Sequence, residues 1–273
     1  EAQIVILSLP VNEIGEMMEF ISSELNPGTV VMEPGPAKVQ AVDWAQKYLS
    51  PQNSFGGLAP ALNPKYFEEH RRGVDGAHAD LFEKSLIGII SPLNARAEAI
   101  NMAVNLTNLL GASPFFTEAA EIDGFNAAVE LLPAVLGTAL ANTTTSQPGW
   151  RDGRKLAGQS LAEATRPLVF GGEAASLAAA ALYNAENARR LLEQTASALL
   201  EMSAAIGQGD EAALKECFSS AQSALAIWMA ERQAENYAGD SAPLPTLPST
   251  GEVYGRMFSF GRRKPISNEK DKK

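Results

Sequence analysis

Little cysteine, little imidazole and no glycine-rich phosphate loop mark this sequence of 273 residues. A single cysteine, Cys217, excludes an internal disulfide and a multi-cysteine metal site, and it fits a reducing compartment such as the cytoplasm. Only two histidines are present, His70 and His78, so chemistry that relies on imidazole has two candidates at most. No apolar run approaches the roughly 18–20 residues of a membrane span, so no membrane partner is expected. The first residues, Glu1-Ala2-Gln3, lack the basic start of a signal peptide and an initiator Met, which predicts a processed chain or a fragment. Lys and Arg total 22 against 32 Asp and Glu, for a net charge of -10. That balance argues against general nucleic-acid binding.

What is present is ordinary globular material, with 45% hydrophobic and 20% charged residues. The first stretch, Ile4 to Val11, is a continuous apolar run closed by Pro10. It reads as a strand buried on both faces, as in the interior of a parallel sheet. With nothing but three residues before it, the expectation is that part of a larger fold precedes it. Strand and helix signals then alternate. The spacing predicts a helix from Glu13 to Leu25, a strand Thr29–Met32, a helix Val39–Leu49, and a strand Ser54–Leu58 with a glycine-permitted bend. An irregular stretch from Ala59 to Asp75 and a short helix Gly76–Phe82 follow. Then come a strand Leu86–Ile90, a helix Ala95–Leu110 ending at Gly111, and a last strand Ser113–Thr117. Such alternation predicts βαβ units and a parallel sheet.

From Glu118 to about Tyr237 the pattern is helical throughout, with breaks expected at Pro133, Pro148-Gly149, Pro167 and Gly171-Gly172. Two long helices are expected near Glu173–Ile206 and Asp210–Tyr237, with Asp210 as an N-cap. Apolar faces wider than one stripe suggest coverage by a second subunit. The fold class is therefore α/β followed by all-α. The domains are 1–117, 118–237 and a disordered tail at 238–273, where Arg262-Arg263-Lys264 is either solvated or meets an anionic partner.

Ligands of open α/β sheets bind at the carboxyl ends of strands. This selects the loops Leu9-Pro10-Val11-Asn12, Glu33-Pro34-Gly35-Pro36-Ala37-Lys38 and Gly56-Gly57-Leu58-Ala59-Pro60, with ordinary turns as the alternative reading. Gly171-Gly172 follows no strand and does not replace the missing GxGxxG.

Taken together, Ile4–Val11, Pro27-Gly28-Thr29-Val30-Val31, Pro34–Lys38, Phe55-Gly56-Gly57 and Ala79-Asp80-Leu81-Phe82 resemble the prephenate/arogenate dehydrogenases of tyrosine biosynthesis. In the helical half, Glu121–Gly124, Glu130–Ala134 and Thr165-Arg166 resemble the same family. The resemblance implies the C-terminal part of a Rossmann-like domain, lacking its first βαβ unit, joined to a helical domain that pairs two subunits as a homodimer. It also implies oxidative decarboxylation of prephenate or arogenate with NADP or NAD in the cytoplasm. Cofactor contacts fall to Leu9, Pro10, Val11, Gly35 and Pro36, and substrate contacts to Lys38 and Arg166, the latter through a carboxylate. An ion pair at a helix end is the other reading of Arg166.

The departures from the family pattern bear on catalysis. Pro36 replaces the family's serine, and Leu58 stands at the position taken for the family histidine. Val129–Ala134 lacks the histidines of the matching helical segment. His70 and His78 are the remaining candidates for a proton acceptor, against solvated loop side chains. Two alternatives stay open: a related oxidoreductase with another substrate, and a non-catalytic, metabolite-binding paralogue.

Overall fold

The computed structural model describes residues 2–71, 73–92 and 95–235. The expected tail at 238–273 lies outside them. The chain divides into two compact units, residues 1–214 and residues 215–273.

The first unit begins with β1 (Ile4–Ile6), α1 (Ile14–Ile21), β2 (Val30–Glu33), α2 (Lys38–Tyr48) and β3 (Ser54–Pro60). It continues through β4 (Leu86–Ile90), α3 (Ala97–Leu109) and β5 (Ser113–Phe116). The five strands form one sheet in the order β1-β2-β3-β4-β5. Hydrophobic alternation along the strands sorts the core into two layers. Val30, Met32, Leu58, Ile87 and Ile89 pack on Ala99 and Ala103 of α3. Val31 and Phe55, with Leu7, pack on Ile14 and Met18 of α1 and on Ala41 and Ala45 of α2.

The structure corrects several expectations. The sheet is mixed, because β3 and β4 are antiparallel, with Gly57 opposite Ile90 and Pro60 opposite Ile87. A parallel crossover usually runs through a helix. The connection between β3 and β4 instead holds only two 3₁₀ turns, Pro64–Tyr66 and Gly73–Gly76, and the helix expected at 76–82 is absent from it. Gly56 and Gly57 lie inside β3, paired with Met32 and Glu33, and make no bend. The opening strand is shorter than its apolar run and forms the sheet's edge, so Ile4 is 36% and Ile6 49% exposed. An edge strand has one pairing partner and one open side, so the sheet has the exposed flank that goes with the expected absence of a first βαβ unit.

The helical part comprises α4 (Ala119–Asn126), a π-helical turn (Ala127–Leu131), α5 (Leu132–Thr145), α6 (Trp150–Gly153) and α7 (Gln159–Phe170). Then follow α8 (Ala174–Tyr183), α9 (Ala185–Gln208) and α10 (Glu211–Gln233), whose later residues belong to the second unit. Asp210 caps α10 as expected, its carboxylate accepting from the Ala213 N–H at 3.0 Å. The single long helix expected from Glu173 to Ile206 is two helices that meet at Asn184.

Neither Pro133 nor Pro167 ends a helix. Proline offers no N–H and crowds the carbonyl four residues back. Ahead of Pro133 the backbone widens into the π turn, where the Leu132 N–H reaches back to the Ala127 carbonyl. The resulting run, Ala119–Thr145, is long and apolar enough by length and composition alone to cross a membrane. It packs on α2 and α7, as a core helix also does.

The contact between α1 and α2 has no spare room. A Cβ on Gly15 would stand 2.7 Å from the Trp44 ring, and that ring is itself held edge-on to Tyr183, with centroids 5.3 Å apart. Gly15→Ala gains up to about 1 kcal/mol of helix propensity but overpacks this contact at a cost of about 1–3 kcal/mol. A net loss of stability, read as a lower midpoint in urea with an unchanged slope, is expected.

Candidate functional site

The amino end of α2 is the point where sheet and helices meet. Its N-cap, Ala37, has no side chain able to accept a hydrogen bond, so the first N–H groups of the helix need an acceptor from elsewhere. Asp123 of α4 supplies it, accepting from the backbone N–H of Lys38 at 2.6 Å and of Val39 at 2.9 Å. An anion at this end also suits the helix dipole. The Asp123 carbonyl in turn accepts from Asn184 at 2.6 Å, at the junction of α8 and α9. Burial pushes the Asp123 carboxyl above the usual range, against the pull of the two N–H donors and the Lys38 charge.

Beneath the cap lies a buried ion pair. Lys38 Nζ donates to the Glu33 carboxylate and to the Glu33 carbonyl, both at 2.8 Å, and both residues are at most 1% exposed. Burial lowers the Lys38 pKa, with Glu33 opposing the shift. The other Glu33 oxygen accepts from the Gly35 N–H. A side chain at Gly35 would collide with that carboxylate, which accounts for glycine in the loop.

Above this foundation a cavity of about 470 Å³ opens at the carboxyl ends of β1 and β2. Its sheet side is formed by Leu9, Val11, Pro34, Gly35, Pro36 and Ala59–Ala61. Its helical side includes Ile122, Asn126, Val129–Leu131, Gly171, Ser176, Leu177 and Ala180. Two hydrogen bonds tie the sides together. Asn126 donates to the Pro36 carbonyl at 3.0 Å, and the Val11 N–H donates to Ser176 Oγ at 3.3 Å. Glu130 keeps an exposed face, and the protein around its carboxyl raises its pKa by desolvation.

Leu9, Val11, Gly35 and Pro36 therefore stand together in one wall, as the strand-end argument expects. Pro10 is beside it, its carbonyl accepting from the Glu13 N–H at 2.9 Å. Lys38 is not in the wall; its charge is turned into the core. Leu58 is not there either. Successive strand residues face opposite sides, so Leu58 enters the α3 layer and Ala59 meets the cavity.

His70 and His78 sit on the loop between β3 and β4, away from the wall. His78 stacks on Tyr66 with centroids 4.3 Å apart and shares Glu69 Oε2 at 3.1 Å. Hydrogen bonds from Arg71 hold the Glu69 carboxyl far below the usual range. The Tyr66 hydroxyl, and then Lys65, hold Asp80 at about 2. Arg166 of α7 donates to the carbonyls of Phe67 at 3.3 Å and Glu69 at 2.6 Å, and pairs with Glu163 at 3.4 Å. It anchors this loop to the helices.

Sequence reasoning left Glu33, Asp123, Asn126, Ser176 and Asn184 without roles. The uncapped Ala37 was the available signal for Asp123. Nothing local marks the others.

Lys38→Met leaves Glu33 buried without its cation and is expected to cost about 3–5 kcal/mol. Lys38→Met combined with Glu33→Leu replaces the pair with apolar volume and should recover most of that loss. Urea unfolding of the two variants measures both.

The family described as prephenate dehydrogenase, nucleotide-binding domain, matches residues 1–115. No curated protein matches the sequence. Among solved structures, arogenate dehydrogenase from Synechocystis is similar, with a TM-score of 0.63 at 19% identity over 81% of this chain and 77% of that one. Prephenate dehydrogenase from A. aeolicus, solved with hydroxyphenyl propionate and NAD+, gives a TM-score of 0.68 at 20% identity over 81% of this chain and 74% of that one. Over residues 1–115 the chain is similar to the prephenate dehydrogenase nucleotide-binding family, and it carries the Rossmann-like and helical fold seen in the prephenate and arogenate dehydrogenase structures.

Proposed function

We propose that this chain is an NAD(P)-dependent oxidoreductase that oxidatively decarboxylates a cyclohexadienyl acid, prephenate or arogenate, towards tyrosine in the cytoplasm. The observation that carries the reading is the cavity at the carboxyl ends of β1 and β2, closed over by α4, the π turn and α8. It sits where a doubly wound sheet receives a nucleotide's reactive end, in a chain whose first 115 residues match that nucleotide-binding family.

The wall fits the nicotinamide end of the cofactor. Leu9, Val11 and Pro36 offer apolar surface to a flat ring, and Gly35 keeps the loop close to its base. A glycine-rich turn from strand to helix for the pyrophosphate is not found among the described residues, so these residues account for one end of the group only. When bound, the nicotinamide supplies the hydride acceptor. The chain's own residues shape the pocket, exclude water from it and hold the substrate. Arg166 secures the β3–β4 loop through the Phe67 and Glu69 carbonyls; by the family resemblance a substrate carboxylate would take the place of one of those acceptors.

Exposed Leu199, Leu200 and Ile206 on α9 support pairing of two copies through the helical part. A second reading, a metabolite-binding paralogue without turnover, is favoured by the absence of histidine from the wall among the described residues. The assay that separates the two offers prephenate or arogenate with NAD or NADP and follows nicotinamide absorbance. Reduction is expected, and Arg166→Ala should lower kcat/KM by about tenfold or more, the worth of one charge-assisted hydrogen bond. Substrate binding without any reduction would establish the paralogue instead.

A further inference from the structure

The loop that carries Pro34, Gly35 and Pro36 into the cavity wall has few means of holding its own course. Its two prolines have no N–H to give, and Gly35 gives its N–H to the Glu33 carboxylate beneath. Ala37 brings no side-chain acceptor. The remaining bonds come from α4. Asp123 and Asn126 stand three residues apart, so they project from one side of that helix. Asp123 accepts from the Lys38 and Val39 N–H groups at 2.6 and 2.9 Å, and Asn126 donates to the Pro36 carbonyl at 3.0 Å. All three bonds reach the loop's backbone, so they grip the path of the chain and not a side chain that can turn aside. Behind them, Asn184 donates to the Asp123 carbonyl at 2.6 Å and ties α4 to the junction of α8 and α9. The loop after β1, across the cavity, receives one longer bond from the helices, Val11 N–H to Ser176 Oγ at 3.3 Å.

We infer that Asp123 and Asn126 are positioning residues for the nicotinamide end of the cofactor, acting from the helical part on the wall against which the ring lies. The inference rests on the proposed function for the identity of that ring. Asn126 borders the cavity; Asp123 is buried behind the wall and acts only through the loop. Seating the ring and gripping the loop bear on the same backbone, so the two are linked. A ring on the wall holds the loop where Asp123 and Asn126 reach it, and their bonds hold the wall where the ring needs it. Such coupling is reciprocal, with each event strengthening the other by the same factor.

Titration calorimetry and amide hydrogen exchange of the full chain test this. The probe is nicotinamide mononucleotide, and the control is AMP, which has a ribose phosphate and no nicotinamide. The mononucleotide should bind and should slow exchange at the Lys38 and Val39 amides, while AMP should leave those amides unchanged. Asp123→Ala should weaken mononucleotide binding by about tenfold or more, the worth of a charge-assisted hydrogen bond, and Asn126→Ala by about fivefold, the worth of a neutral one. Asp123→Asn keeps one acceptor oxygen and should recover part of the loss. Urea midpoints are measured alongside, because a merely structural role would lower the midpoint and leave the affinity of the folded protein where it was. If Asp123→Ala does not fold, Asp123→Asn and Asn126→Ala decide. Unchanged mononucleotide affinity in the folded variants overturns the inference and leaves the cofactor reading of the wall standing. So does mononucleotide binding that leaves the Lys38 and Val39 amides unprotected. Absence of mononucleotide binding to the unmodified protein overturns the cofactor reading of the wall, and the inference falls with it.

Discussion

The amino end of α2 is the constraint on which the rest of this structure depends. A helix that begins at Lys38 behind an alanine cap must find an acceptor for its first N–H groups, and the one it finds belongs to α4. A local defect in capping is thereby converted into a tertiary bond between sheet and helices. Beneath it, Lys38 and Glu33 are charged groups with no access to water, tolerable only because each satisfies the other and the Gly35 N–H completes the set. Such pairs contribute little net stability relative to apolar packing but are severe about register. The loop from Glu33 to Lys38 has one conformation that closes all of these bonds, and that conformation also shapes the floor of the cavity.

Much of the architecture was legible because it is local. The periodicity of Val39–Leu49 and of Ala95–Leu110, the left-handed Gly111 and the Asp210 cap each follow from a few neighbouring residues. The direction of β4 was not legible in the same way. It is decided by a connection with no helix in it, and sequence alternation is blind to strand direction. Prolines misled in the helical part, because Pro133 was absorbed by a widened turn.

The site was half legible. Placing ligands at strand ends picked out Leu9, Val11, Gly35 and Pro36, and these line one cavity. Leu58, the position taken for the family histidine, faces the α3 layer, and the pleat of β3 presents Ala59 to the cavity. The difference is one residue along a strand, which is a change of face. Arg166 and Lys38 show the same lesson in reverse: residue types suited to binding a carboxylate are occupied by backbone carbonyls and by a buried glutamate. Charge in a sequence says what a side chain can bind, and only packing says what has claimed it.

The widened turn at Ala127–Leu131 has a consequence for how the helical part tolerates change. Ordinary α-helix advances about 100° per residue, and the π turn accommodates one residue beyond that cadence. It sets the angular phase between α4, which carries Asp123 and Asn126 to the α2 loop, and α5, which packs on α7. Removing one residue there would leave every side chain chemically intact while turning one half of the rod about its axis relative to the other. The two faces could then no longer be seated together. The insertion works as a gear setting between the nucleotide-binding sheet and the helices, and length in this segment is more constrained than identity.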